Sequence, residues 1–217
     1  MHSLKGVTRS DQHRALGLST FAFTVCFAVW TIFSIIGVKI KGDLGLNDTQ
    51  FGLLVATPVL TGSISRVFLG VWSEQFGGRI IFPLQMLVTA VAVWLLTSVQ
   101  TYEVFLLAAL GLGLAGGSFI VGVAYVSQWF EKEHQGTALG IFGAGNVGAA
   151  VTNFAAPFLV LAVGWEDTAR IYAIVLAITA VLFYLLSKDD PALAARKQNG
   201  SKPVSTAQQL EPLRDIQ

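Results

Sequence analysis

Six long apolar runs follow one another along the chain, at about 16–40, 51–72, 80–99, 104–129, 137–163 and 171–186. Each has the roughly 20 mostly apolar residues that a helix needs to cross a bilayer. Backbone N–H and C=O groups cannot stay unpaired in hydrocarbon, so runs of this length must be helical. The gaps are short and hold most of the charges and turn formers, for example Lys41-Gly42-Asp43, Gly77-Gly78-Arg79, Glu131-Lys132-Glu133-His134 and Glu166-Asp167. Only 12% of the 217 residues are charged, against about 25% in a soluble domain. The expected fold class is an all-α integral membrane protein of six transmembrane helices.

The basic residues orient the bundle. Ten lie at the N-terminus, in the second and fourth gaps and in the C-terminal tail, whereas Lys39, Lys41 and Arg170 occupy the other side. By the positive-inside rule both termini face the cytoplasm. Lys5, Arg9 and Arg14 precede an apolar run as in a signal peptide, but the run is too long and ends without a small-residue cleavage site. The expected division is a cytoplasmic N-terminus over 1–15, a six-helix bundle over 16–187 and a flexible cytoplasmic linker over 188–217. That last segment is rich in polar residues and proline and regains apolar character at Leu210, Leu213 and Ile216. Net charge is +1, which provides no field for nucleic acid. Cys26, the only cysteine, reads as a small packed hydrophobe and excludes an internal disulfide or a cysteine-based metal cluster.

Three features could carry chemistry. Arg66 interrupts the second run, where a mid-helix arginine costs about 2.5–3.5 kcal/mol on insertion scales. It is either a fixed cation able to hold an oxyanion with its planar fork or a side chain snorkelling to the interface. Glycines crowd the fourth run (Gly111, Gly113, Gly116, Gly117) and the fifth (Gly136, Gly140, Gly143, Gly145, Gly148). The Gly113–Gly117 and Gly136–Gly140 spacings suit close helix packing. Asn146 sits among those glycines, where its carboxamide is either interhelical glue or a contact for a small planar solute; Asn153, two turns on, is open to both readings. His2, His13 and His134 are terminal or in gaps, and Glu74, Glu103, Glu131 and Glu133 lie at run edges, so no acid or histidine is placed to relay a proton inside this half. No phosphate loop, carboxylate pair or nucleophile–base arrangement is present, so no enzyme, metal site or cofactor is expected.

Two stretches resemble a known family. Gly70-Val71-Trp72-Ser73-Glu74-Gln75-Phe76-Gly77-Gly78-Arg79 resembles the loop signature of the major facilitator superfamily, with Gln75 where a basic residue is usual. Ala138-Leu139-Gly140-Ile141-Phe142-Gly143-Ala144-Gly145-Asn146-Val147-Gly148 is similar to the first nitrate signature of the nitrate/nitrite porters within it. Thr61-Gly62-Ser63-Ile64-Ser65-Arg66, Ala115-Gly116-Gly117-Ser118-Phe119 and Phe27-Ala28-Val29-Trp30-Thr31-Ile32-Phe33-Ser34 fit the same family. The resemblance implies the N-terminal six-helix bundle of that fold. It implies a substrate-binding set of Arg66, Asn146, Gly143, Gly145, Phe119 and, from helix one, Phe33. Gly70, Glu74, Gly77, Gly78 and Arg79 would form the structural loop, with Glu74 expected to engage a helix of the other half. Ser118 stands where the family often has asparagine.

The function so implied is secondary transport of nitrate or nitrite by alternating access, for nitrate assimilation or exchange, in the cell inner membrane. Membrane lipid and a missing C-terminal half, in the same or a separate chain, are the other expected partners, because family members have twelve spans. The alternatives are a six-span non-transporting sensor, a half-transporter needing a partner chain, or a carrier of another small oxyanion.

Overall fold

The structure, a computed structural model, describes residues 7–98 and 101–198, so the apolar residues expected near the C-terminus lie outside the described residues. Among the described residues the chain is helical, with α1 (Arg9–Leu44), α2 (Asp48–Phe76), α3 (Gly78–Leu95), α4 (Tyr102–Gly113), α5 (Ser118–Ser127), α6 (Lys132–Gly143), α7 (Val147–Leu186) and α8 (Pro191–Gln198). A 3-10 turn, Leu114–Gly117, joins α4 to α5, and another, Ala144–Asn146, joins α6 to α7. Spans 1 to 3 are α1, α2 and α3, and span 4 is α4 with α5.

Among the described residues five helical stretches are long and apolar enough to cross a membrane, and the last, Lys132–Leu186, holds 55 residues. At a rise of 1.5 Å per residue it would measure about 80 Å, against a hydrocarbon core of about 30 Å. Gly164, at φ 85° and ψ 167°, breaks it. Thr152 and Tyr172 would stand about 30 Å apart on a straight helix, yet the Tyr172 hydroxyl donates to Thr152 Oγ1 at 3.2 Å. The stretch is therefore a hairpin, and the six expected spans are present. Spans 5 and 6 lie before and after Gly164.

The start of α1 and the end of α7 meet at one end of the bundle. Lys188 Nζ pairs with Asp11 at 2.8 Å, Gln12 Nε2 donates to the Trp129 carbonyl at 2.8 Å, and the Tyr125 hydroxyl donates to the Lys188 carbonyl at 2.7 Å. At the opposite end Lys41 pairs with Asp48 at 2.7 Å, Trp165 Nε1 donates to Asp43 at 3.0 Å, and the Tyr102 hydroxyl donates to the Gln50 carbonyl. Span 1 forms the axis, burying Phe23, Cys26, Val29, Ile32 and Ile36. Span 5 packs on it, with Thr152 donating to the Ala28 carbonyl at 2.9 Å, and span 6 packs on span 3 through Phe82 and Phe183, whose rings lie 5.0 Å apart.

The segment after Lys188, expected as flexible linker, begins instead with a docked helix. Asp190 caps α8 by accepting from the Leu193 N–H at 2.8 Å, and Pro191 occupies the first turn, where its missing N–H costs nothing. Leu193 is buried against Gly77, where a Cβ would stand 2.6 Å from Leu193 Cδ2 and where φ is 88°. Arg196 Nη1 donates to the Glu74 carbonyl at 3.0 Å. The Asp190 carboxyl is buried, and that burial raises it above the ordinary carboxylate range; the Leu193 N–H opposes the rise, Asp189 adds to it and Arg196 opposes it.

A raised carboxyl binds its proton more tightly in the docked state than in the free chain. Its contribution is complete below the ordinary carboxylate pKa and is lost as pH rises through the raised value. Thermal melting in detergent should show wild-type stability falling as pH is raised above about 4, the ordinary carboxylate value. Asp190→Asn keeps the capping acceptor and should flatten the profile; an unchanged slope would remove Asp190 as its source.

Candidate functional site

Two helix crossings build the region around Arg66. Spans 2 and 4 meet through glycine: a Cβ on Gly113 would stand 2.6 Å from Thr61 Cβ and 2.7 Å from the Pro58 carbonyl, and one on Gly62 would stand 3.0 Å from the Gly113 carbonyl. Gly117 lies against Leu69 and Ser65. Without side chains to hold them apart, the two backbones approach closely, which is how helices gain packing energy where lipid removes the hydrophobic drive. The glycines of span 4 are accordingly packing residues.

Arg66 projects from this crossing. Its Nε donates to the Gly116 carbonyl at 3.3 Å, and the residue is otherwise exposed at the surface of the bundle. It lies ten residues before Phe76, about 15 Å along the helix and so well inside a hydrocarbon slab. Among the described residues the ion pairs are Lys41–Asp48, Arg79–Asp189, Arg170–Asp167 and Lys188–Asp11, all at the two ends, and none involves Arg66.

Span 5 divides its glycines between two faces. Gly145 packs under the Phe23 ring and Gly148 against the backbone of Thr24 and Ala28, so both are occupied by span 1. Gly136, Gly140 and Gly143 have no atom within 4 Å of an added Cβ. The Gly136–Gly140 pair therefore makes no close helix contact here, contrary to the packing expected from its spacing. Gly145 likewise belongs to the span 1 contact, not to an open binding surface. Asn146, in the 3-10 turn, is exposed and spends one donor locally, on the Gly143 carbonyl at 2.9 Å. Asn153 is exposed on the same span.

Aromatic rings connect these residues. Phe119 is 40% exposed and lies 5.6 Å from the Phe23 ring and 5.9 Å from that of Phe142. Phe23 continues to Phe27 at 5.3 Å, and Phe27 to Trp30 at 5.2 Å. Phe33 does not belong to this series: it is 3% exposed and sits in the core beside Gly37. The helix-one aromatics on the open side are Phe27 and Trp30, both half-buried. A relay of contacts thus runs from Arg66 through Gly116, Trp30, Phe27 and Phe23 to Phe119 and to span 5 at Gly145, and Phe33 and Gly145 are packing residues.

The loop residues form a separate cluster at the end where α1 starts and α7 ends. A Cβ on Gly78 would stand 2.8 Å from Tyr125 Cδ2, and one on Gly70 3.4 Å from Ile120 Cγ1. Arg79 lies 3.6 Å from Asp189 and 5.3 Å from the Tyr184 ring centre. A cavity of about 180 Å³ lies between this corner and α8, lined by Glu74, Tyr125, Gln128 and Asp190 among others.

The family model for the Major Facilitator Superfamily matches residues 18–216. The chain belongs to the major facilitator superfamily. Its fold is the six-helix bundle of this family, and it is a multi-pass membrane protein. It is 40% identical over 188 residues to the probable nitrate/nitrite antiporter NarK1 of Thermus thermophilus, covering 81% of this chain and 42% of that protein. It is 35% identical to the probable nitrate transporter NarT of Staphylococcus epidermidis (88% and 48%) and 34% identical to the nitrite extrusion protein of Bacillus subtilis (80% and 44%). The chain spans a little under half the length of these relatives.

The two faces of span 5 make opposite predictions. Gly148→Ala places a methyl against the backbone of Thr24 and Ala28, which cannot swing away, and should destabilise the bundle by about 1–3 kcal/mol. Gly143→Ala meets open space and should change stability by no more than about 0.5 kcal/mol. Thermal unfolding of the two variants in detergent checks both.

Proposed function

We propose that this chain is the N-terminal half of a nitrate/nitrite transporter that works by alternating access. The observation that carries the reading is Arg66: a guanidinium deep in a membrane-spanning bundle, exposed on one face, held only by a neutral carbonyl and paired with no carboxylate among the described residues. A charge so placed is costly unless something neutralises it. An oxyanion does so with two parallel N–H···O bonds from the planar fork. Asn146 has a second amide N–H to donate to a small planar anion, Gly143 leaves space beside it, and Phe119 with Phe27 forms an apolar wall. The names of the relatives, which include antiporters and transporters of nitrate or nitrite, support that choice of anion.

The second wall comes from a C-terminal six-helix half, in the same or a separate chain, which would bring its own arginine and close the site at the interface between bundles. Alternating access is then the rocking of one bundle against the other. In this arrangement 1–15 and 188–217 are cytoplasmic, 16–187 is the membrane bundle, and the ten basic residues at the end of the termini face the cytoplasm of the inner membrane. The corner formed by Gly70, Glu74, Gly77, Gly78 and Arg79 braces that cytoplasmic end, with Glu74 toward the other half.

Flux measured in proteoliposomes containing the complete transporter tests the reading. Arg66→Ala should lower nitrate and nitrite uptake at least ~100-fold, and Arg66→Lys, which keeps the charge but not the fork, should still lose ~10-fold or more. Uptake that survives Arg66→Ala would remove Arg66 from the site. Equal activity of the lysine variant would leave a point charge and discard the bidentate contact.

A further inference from the structure

Trp30 is the side chain of this region whose chemistry is still unused. Its indole Nε1 is buried and has no hydrogen-bond partner, although a buried indole N–H ordinarily finds one. The indole lies on the crossing of spans 2 and 4. A Cβ on Gly116 would stand 3.3 Å from Nε1 and 3.2 Å from Cε2, and one on Gly62 would stand 3.8 Å from Nε1. Arg66 comes to the same crossing one helical turn beyond Gly62, its Nε on the Gly116 carbonyl at 3.3 Å. Two donors converge on one seam, and one of them holds the carbonyl there.

The Arg66 bond is long for N–H···O, so it is weak. A guanidinium that turns to an oxyanion exchanges it for stronger, charge-assisted bonds. That motion takes the side-chain donor away from the Gly116 carbonyl at a buried position, and losing that partner opposes anion binding.

We propose that Trp30 is a positioning residue for the anion: its indole N–H takes over the Gly116 carbonyl as Arg66 leaves it. This rests on the anion-transport reading of Arg66. The exchange is local, because the indole Nε1 already lies against Gly116, 3.3 Å from where a Cβ would stand. The 3-10 turn Leu114–Gly117 places the carbonyl in a segment where a small change in winding re-aims it. Nε1 is too deeply buried to touch the anion itself, so its effect passes through Arg66.

The test measures nitrate and nitrite binding and flux by the complete transporter with Trp30→Phe, and with 3-benzothienylalanine at position 30, which keeps the indole shape and lacks only the N–H. Each should raise Kd and KM about tenfold and leave maximal flux within about twofold. A merely structural role would instead lower the amount of active protein and maximal flux at unchanged KM. In wild type carrying 5-fluorotryptophan, the fluorine resonance absent from Trp30→Phe should shift when nitrate is added. Wild-type binding with an unchanged KM in the isosteric variant overturns the role of Trp30 alone. A wild type that binds neither anion overturns the transport reading and this inference together.

Discussion

The close approach of backbones at glycine is the constraint on which the bundle and its candidate site both depend. In hydrocarbon an apolar side chain gains little by leaving lipid for protein, so association relies on van der Waals contact and on hydrogen bonds between helices. Gly62 with Gly113 and Gly116 brings span 2 onto span 4, and Gly145 with Gly148 brings span 5 onto span 1. A side chain at any of these five positions would push two helices apart. It would also undo what each crossing presents: Arg66 Nε within reach of the Gly116 carbonyl in one, and Asn146 at the rim of the other. The site is a by-product of packing geometry, and two of its polar groups, the Gly116 carbonyl and Asn146, sit on 3-10 turns between helical segments. There the local winding changes and a carbonyl or an amide can point away from the helix axis.

The spans, their order and the polar position of Arg66 were legible because apolar length and a lone charge are properties of composition along the chain. Facing was harder. Gly143 and Gly145 are two residues apart, so at 100° per residue they point to opposite sides of a helix and cannot both line one surface. Gly143 and Asn146, three apart, share the open face, while Gly145 and Gly148, also three apart, share the packed one. The same argument separates Phe33, which falls on the stripe of Cys26, Val29, Ile36 and Ile40, from Phe27 and Trp30 on the open side. That periodicity was present in the sequence. What was missing was the direction of the core, which depends on which neighbours each span acquires.

Helix α8 was hidden for a different reason. Asp190 followed by Pro191 and a run of alanine and leucine is a helix start by capping chemistry. Its eight residues would be marginal in isolation, though, and the polar, proline-containing surroundings argue for open chain. Docking decides it: Leu193 needs a receptor, and the receptor exists only because Gly77 has no side chain and adopts a backbone conformation that disfavours one. A tertiary contact thus overrides a weak local preference.

The exposed surfaces of the bundle are unlike one another, and the difference bears on what each meets. Along spans 3 and 6 the exposed residues are apolar, among them Leu84, Val88, Val91, Ile174, Ile178 and Val181, as a face bathed in acyl chains requires. Spans 2 and 5 expose Ser63, Arg66, Asn146 and Asn153 between Val59, Leu60 and Val147. A guanidinium and two carboxamides left in hydrocarbon would together oppose insertion by more than any single glycine crossing returns. Their tolerance is therefore an argument about the neighbour of that face and not about the bundle itself. Something polar or water-filled must stand against spans 2 and 5. The second bundle and small anion proposed above would meet that requirement, the bundle covering the carboxamides and the anion bringing the negative charge that Arg66 lacks.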